Sequence, residues 1–149
     1  MPASAPELVH GLTAHRGALL DLFPLLSEEH ANFAPWEGGM TIKGTLDHLN
    51  GTSSMLLAIM KGEAPQRPAP SGSLQEAIEK FKADTEALLA GVGTLSDEDL
   101  QRLVPAFGGQ MMPLGSLVHM IRDHDIHHKG QLWLMARMVG IKPPMFVKR

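Results

Sequence analysis

The sequence predicts an all-α fold, a four-helix bundle forming one domain over residues 1–149. Three observations carry this. Apolar residues recur at steps of three and four along four long segments, the mark of helices with one buried face. No β-branched, alternating run lies between turn residues, so no strand is expected. Capping residues and Gly/Pro breaks separate the segments. With 149 residues, 44 % hydrophobic and 19 % charged, the chain can bury a sizeable core.

The first segment runs from about Glu7 to Leu26. Leu8, Leu12, His15, Leu19, Leu22 and Leu26 form its stripe, and Pro24 should tighten its last turn. A loop with Pro35, Gly38 and Gly39 follows. The second segment opens on Thr41, whose hydroxyl can cap free amide groups, and runs to about Lys61. Gly62 can end it, and the Pro-rich stretch 65–72 is a connector. Ser73-Leu-Gln-Glu76 is a capping box that starts a third helix to about Ala90. Ser96 caps a short helix to about Leu103, and Gly108-Gly109 marks a loop. The last helix has Pro113 in its first turn, runs to Val139, and ends on Gly140 with Pro143-Pro144 beyond.

A net charge of −3 argues against a dedicated nucleic-acid binder. The charge is uneven: residues 1–110 carry a net −7 and residues 111–149 a net +4. The acidic part is expected to pack beside the basic last helix; the other reading is that this helix attracts an anionic ligand. There is no cysteine, hence no disulfide, catalytic thiol or thiolate ligand from this chain. Charged residues enter early, Asp21 and Pro24 break the run 18–26, and no apolar stretch approaches a membrane span. No membrane partner and a cytoplasmic location are the expectation.

Eight histidines, clustered toward the C-terminus, are the first functional signal. Wound at about 100° per residue, His128 falls about 40° from His124 and Gln131 about 20° to the other side. Leu117, Ile121, Met135 and Val139 share that face. Two imidazoles one turn apart on a core-facing stripe can chelate one ion. Placed in an apolar stripe, they also destabilise the fold unless something satisfies them. His48, at the border of the apolar face of the second helix, completes a three-nitrogen set if the two helices pack together. His15, on the first helix, is a fallback third ligand, though a satisfied core histidine suits it better. His127 lies partly off the metal face; His119 and His10 read as surface residues. Gln131 extends the polar patch and lines the pocket.

His124-Asp-Ile-His-His128 imitates the zinc-protease helix, but no Asp or Glu follows Asp125 and no His follows His128, so that mechanism is set aside. Asp47 and Asp125 flank the candidate ligands; a solvated helix face suits both better than a role holding a ligand imidazole. Ile126 and Trp133 are large apolar residues among Arg122, Lys129 and Arg137 on the opposite face of the last helix. Either a partner helix, as in a homodimer, or the short helix or C-terminal tail covers them. Met111 and Met112 are candidates for a pocket entrance.

The run from Leu117 through His124, His128, Lys129-Gly-Gln131 to Gly140 and Pro143-Pro144 resembles the last helix of the DinB/YfiT-like metalloenzymes. Thr41 to Leu49, with His48, is similar to their second helix. The likeness spans nearly the whole chain in helix order. It implies an up-down-down-up four-helix bundle, often dimeric, with a divalent metal, nickel or zinc, on His48, His124 and His128. It further implies a small-molecule substrate and a metal-dependent enzyme, a transferase using a low-molecular-weight thiol such as bacillithiol, mycothiol or glutathione. A metal-dependent hydrolase and a non-catalytic metal- or small-molecule-binding stress protein are the alternatives.

Overall fold

The computed structural model describes residues 2–149. It is mainly helical: α1 (Ala5–Leu22), α2 (Ile42–Met60), α3 (Leu74–Gly93), the short α4 (Asp97–Gln101) and α5 (Leu114–Met138). The caps anticipated from sequence form. The Thr41 hydroxyl accepts from the Gly44 amide at 2.8 Å, and Ser73 from Glu76 at 3.1 Å. Ser4 and Glu7 add a reciprocal pair at the start of α1. Each such cap stabilises its helix by about 1 kcal/mol. Gly62 and Gly140 end α2 and α5 with φ of +74° and +86°, the left-handed region that only glycine enters freely.

Three boundaries differ from the reading of the sequence. Pro24 does more than tighten α1: the helix stops at Leu22 and Phe23–Leu25 form a separate 3-10 turn. Pro113 precedes α5 rather than entering it. And Leu103–Pro105 and Met111–Pro113 form a small antiparallel hairpin, β1 and β2, where only a helix end and a loop were expected. Gly108 and Gly109, at φ of +72° and +77°, turn its tip.

Each long helix packs against two others: α1 against α3 and α5, and α2 against the same pair. Two apolar clusters fill the space between them. One joins Leu19, Phe23, Leu46, Phe81 and Trp133, with Phe23 and Phe81 edge to face at 5.3 Å. The other joins Leu12, Leu56, Leu88, Leu117 and Ile121. Between them, in sequence on all four helices, lies a polar layer. Arg16, fully buried, donates from Nε and Nη2 to both oxygens of Asp125, at 2.8 and 3.1 Å. Its Nη1 donates to the hydroxyls of Ser53 and Thr85. Asp125 is therefore not on a solvated face, as its sequence position suggested; it is wholly buried. This pair runs against the expected charge pattern, with the cation on α1 and the acid on α5, whereas Lys148 donates to Asp21 of α1 in the expected sense.

The C-terminal tail covers the outer face of α5. Trp133 Nε1 donates to the Pro144 carbonyl at 3.0 Å, and the nearly buried Lys129 donates to the Phe146 carbonyl. Lys129 Nζ also stands 2.9 Å from His15 Nδ1, which ties up the fallback ligand away from the other histidines. Ile126 stays 37 % exposed.

Candidate metal centre

His124 and His128 sit one turn apart on α5, and the packing of α2 against α5 brings His48 to them. The three rings lie with centroids 4.5 to 4.8 Å apart. One ring nitrogen from each falls within 4.8 Å of the others. The closest approach is between His48 Nε2 and His124 Nε2, at 2.9 Å. Two imidazole nitrogens at that distance either share a proton or turn two lone pairs on a cation. Metal–imidazole bonds of about 2.0–2.1 Å set ligand nitrogens roughly 3 Å apart, the scale of this spacing. The cluster is thus compatible with metal binding.

Electrostatics favour the neutral, ligating form of each ring. Burial lowers the pKa of His124, helped by the neighbouring His128, His48 and His127 and by Arg16, to about 4. Burial and the charge of Arg67 lower that of His48. Burial also lowers His128, against the opposing pull of its bond to Gln131. Gln131 Oε1 lies 2.8 Å from His128 Nδ1; because an amide oxygen only accepts, this contact favours the tautomer with the proton on Nδ1 and a bare Nε2. The Gln131 amide Nε2 is 3.4 Å from His127 Nε2. His124 Nδ1 is buried with no partner.

The flanking acids do other work. Asp47 accepts from Lys43 Nζ at 2.7 Å and from the Ser71 amide at 3.1 Å, so it pins the connector 61–73 to α2. Asp125 is held by Arg16, and burial pushes its carboxyl up against that pull. Neither reaches the histidines. Phe107, at the tip of the hairpin, lies 6.4 Å from the His124 ring and walls the site on one side. It was not anticipated, because nothing in the sequence said the loop would fold back over α5; the Gly pair beside it was the available signal. His48 opens onto a groove of about 930 Å³ between α2, the connector and Phe107. Met111 is exposed, and Met112 packs against the apolar cluster of Leu12, Leu56 and Leu117 instead of lining that groove.

Fold and site together define a mainly helical protein with a three-imidazole cluster between two of its long helices. The chain belongs to the DinB superfamily, which its residues 12–132 match. It is 27 % identical over 143 residues to YjoA of Bacillus subtilis (strain 168), across 90 % of either protein. It is 32 % identical to YrdA of the same organism over 82 residues, 54 % of this chain and 48 % of that one. Among solved structures it resembles the DinB-like YjoA, with TM-score 0.79, 23 % identity, and 95 % and 98 % of the two chains covered. A DinB-like protein from Bacillus cereus ATCC 10987 superposes with TM-score 0.83 at 17 % identity, over 97 % and 98 % of the chains. At such identities the likeness speaks for the fold. No helix among the described residues is long and apolar enough to cross a membrane.

Proposed function

We propose that this chain is a metal-dependent enzyme acting on a small molecule, with His48, His124 and His128 holding one divalent ion, nickel or zinc. The observation that carries this reading is the 2.9 Å approach of two imidazole nitrogens beside a third on a buried face, with no acid near enough to share their charge. The proposal includes one domain over residues 1–149 and an up-down-down-up four-helix course. In support of that course, the C-terminal halves of α1 and α5 share a core with the N-terminal halves of α2 and α3.

A divalent ion with an open position supplies Lewis acidity, which lowers the pKa of a thiol or water bound there. The residues around it prepare for that chemistry. Burial keeps the three imidazoles neutral. Gln131 holds the His128 proton on Nδ1 and so aims the Nε2 lone pair. Phe107 limits water on the His124 side.

Between a thiol and water as the nucleophile, the surroundings favour a small external thiol. Activation of water is helped by a carboxylate base, and both nearby acids are engaged elsewhere. A thiol, with an ordinary pKa of about 8.5, needs far less help to ionise. The reading is therefore a thiol-dependent transferase, with the hydrolase and the non-catalytic binding protein as its rivals. Metal-loaded protein incubated with an aryl epoxide and glutathione, bacillithiol or mycothiol should give a thioether adduct by mass spectrometry, and chelation should abolish it. No adduct with any of the three thiols overturns the transferase.

A further inference from the structure

The groove beside His48 has features that the metal cluster does not use. Its floor is α2, from Gly44 to Met55; its walls are the connector 65–71, Lys80 and Phe107. A volume of about 930 Å³ lies within the range of small-molecule sites. Its single lining acid, Asp47, is neutralised by Lys43 and the Ser71 amide. Of its two cations, Lys80 is paired with Asp84, whereas Arg67 makes no ion pair among the described residues. Met40, Met55 and Phe107 give it apolar surface.

One detail of the floor fits a site kept open for a ligand. Gly51 lies in the middle of α2, where glycine weakens a helix by roughly 0.5–1 kcal/mol relative to alanine. No packing neighbour requires it, since a Cβ there would meet nothing within 4 Å; it would only intrude on the groove.

We infer that this groove is the substrate site and takes a small organic acid: an apolar body against Met55 and Phe107, and a carboxylate paired with Arg67. The inference builds on the enzyme reading above, because it puts the substrate beside His48. The exposed Arg67 guanidinium, paired with no carboxylate among the described residues, can form a two-pronged bond to an incoming one.

Isothermal titration of 4-phenylbutyrate and of 4-phenylbutanol, which share a body but not a charge, tests it. Metal-free protein is titrated first, so that a failure of the three-histidine site leaves this result readable; zinc-loaded protein follows. Wild type should bind the acid at least about tenfold tighter than the alcohol, the scale of one charge-assisted pair. Arg67→Ala should erase that preference, and Arg67→Lys should keep part of it. Gly51→Leu, which favours the helix and fills the groove, should abolish binding of both. Equal binding of acid and alcohol, no binding of either, or an unchanged preference in Arg67→Ala overturns the inference. So does undiminished binding in Gly51→Leu.

Discussion

Two polar clusters interrupt the apolar core, and they differ in one respect. In the Arg16 layer every polar side-chain atom finds a partner: the guanidinium meets both carboxylate oxygens and two hydroxyls, one residue from each long helix. In the histidine cluster, whose α5 members His124 and His128 stand on either side of Asp125 in sequence, a ring nitrogen is stranded and two others face each other at 2.9 Å. A satisfied polar layer ties the helices together; an unsatisfied one leaves room for a partner from outside the chain. The contrast separates what holds this fold from the metal site proposed on it.

Removing one side of the satisfied layer should have the largest effect. Arg16→Met leaves Asp125 buried and uncompensated, and should lower unfolding free energy by about 3–5 kcal/mol in urea titrations. A loss under about 1 kcal/mol, the range of surface pairs, would mean the layer is not structural. Gln131→Ala leaves the fold alone but frees the His128 ring to turn. Its metal affinity should fall about 10- to 100-fold in competition with a chromogenic chelator, the usual consequence of losing a group that orients a ligand. Thr41→Ala should cost about 1 kcal/mol of stability, the price of one cap, with metal affinity unchanged.

The pH dependence sharpens the same contrast. A histidine whose pKa is lowered by folding favours the folded chain when neutral, and protonation favours the unfolded chain. For His124 this contribution is complete above the unfolded value of 6.5 and is lost as pH falls toward about 4. His48 and His128 act in the same direction. The melting temperature of metal-free protein should therefore drop as pH falls from 6.5 to 4, and His124→Gln should flatten that slope. An equal slope in the variant would show that the acid sensitivity arises elsewhere.

Much of this was legible in the sequence, for physical reasons. Helical period alone placed His124, His128 and Gln131 on one inward face, because neighbours one turn apart need no tertiary information. His48 was different: helix packing decides whether it meets the others, and the resemblance supplied what periodicity lacked. Asp125 was misread because it is about 100° from His124, and its partner Arg16 is 109 positions away. The available signal was Arg16 itself, which falls between Leu12 and Leu19 in the stripe of α1. The β1–β2 hairpin escaped notice because three-residue strands are too short to show alternation. With it went Phe107, the wall of both the histidine site and the groove.

The three histidines are proposed to hold one ion that the rest of the core does not need. Metal per chain, measured by elemental analysis after purification and reloading, tests it most directly when wild type is set beside His48→Ala. One ion per wild-type chain, none in the variant, and metal-free unfolding curves that coincide within about 1 kcal/mol is the predicted result. Metal at wild-type stoichiometry in His48→Ala would contradict it.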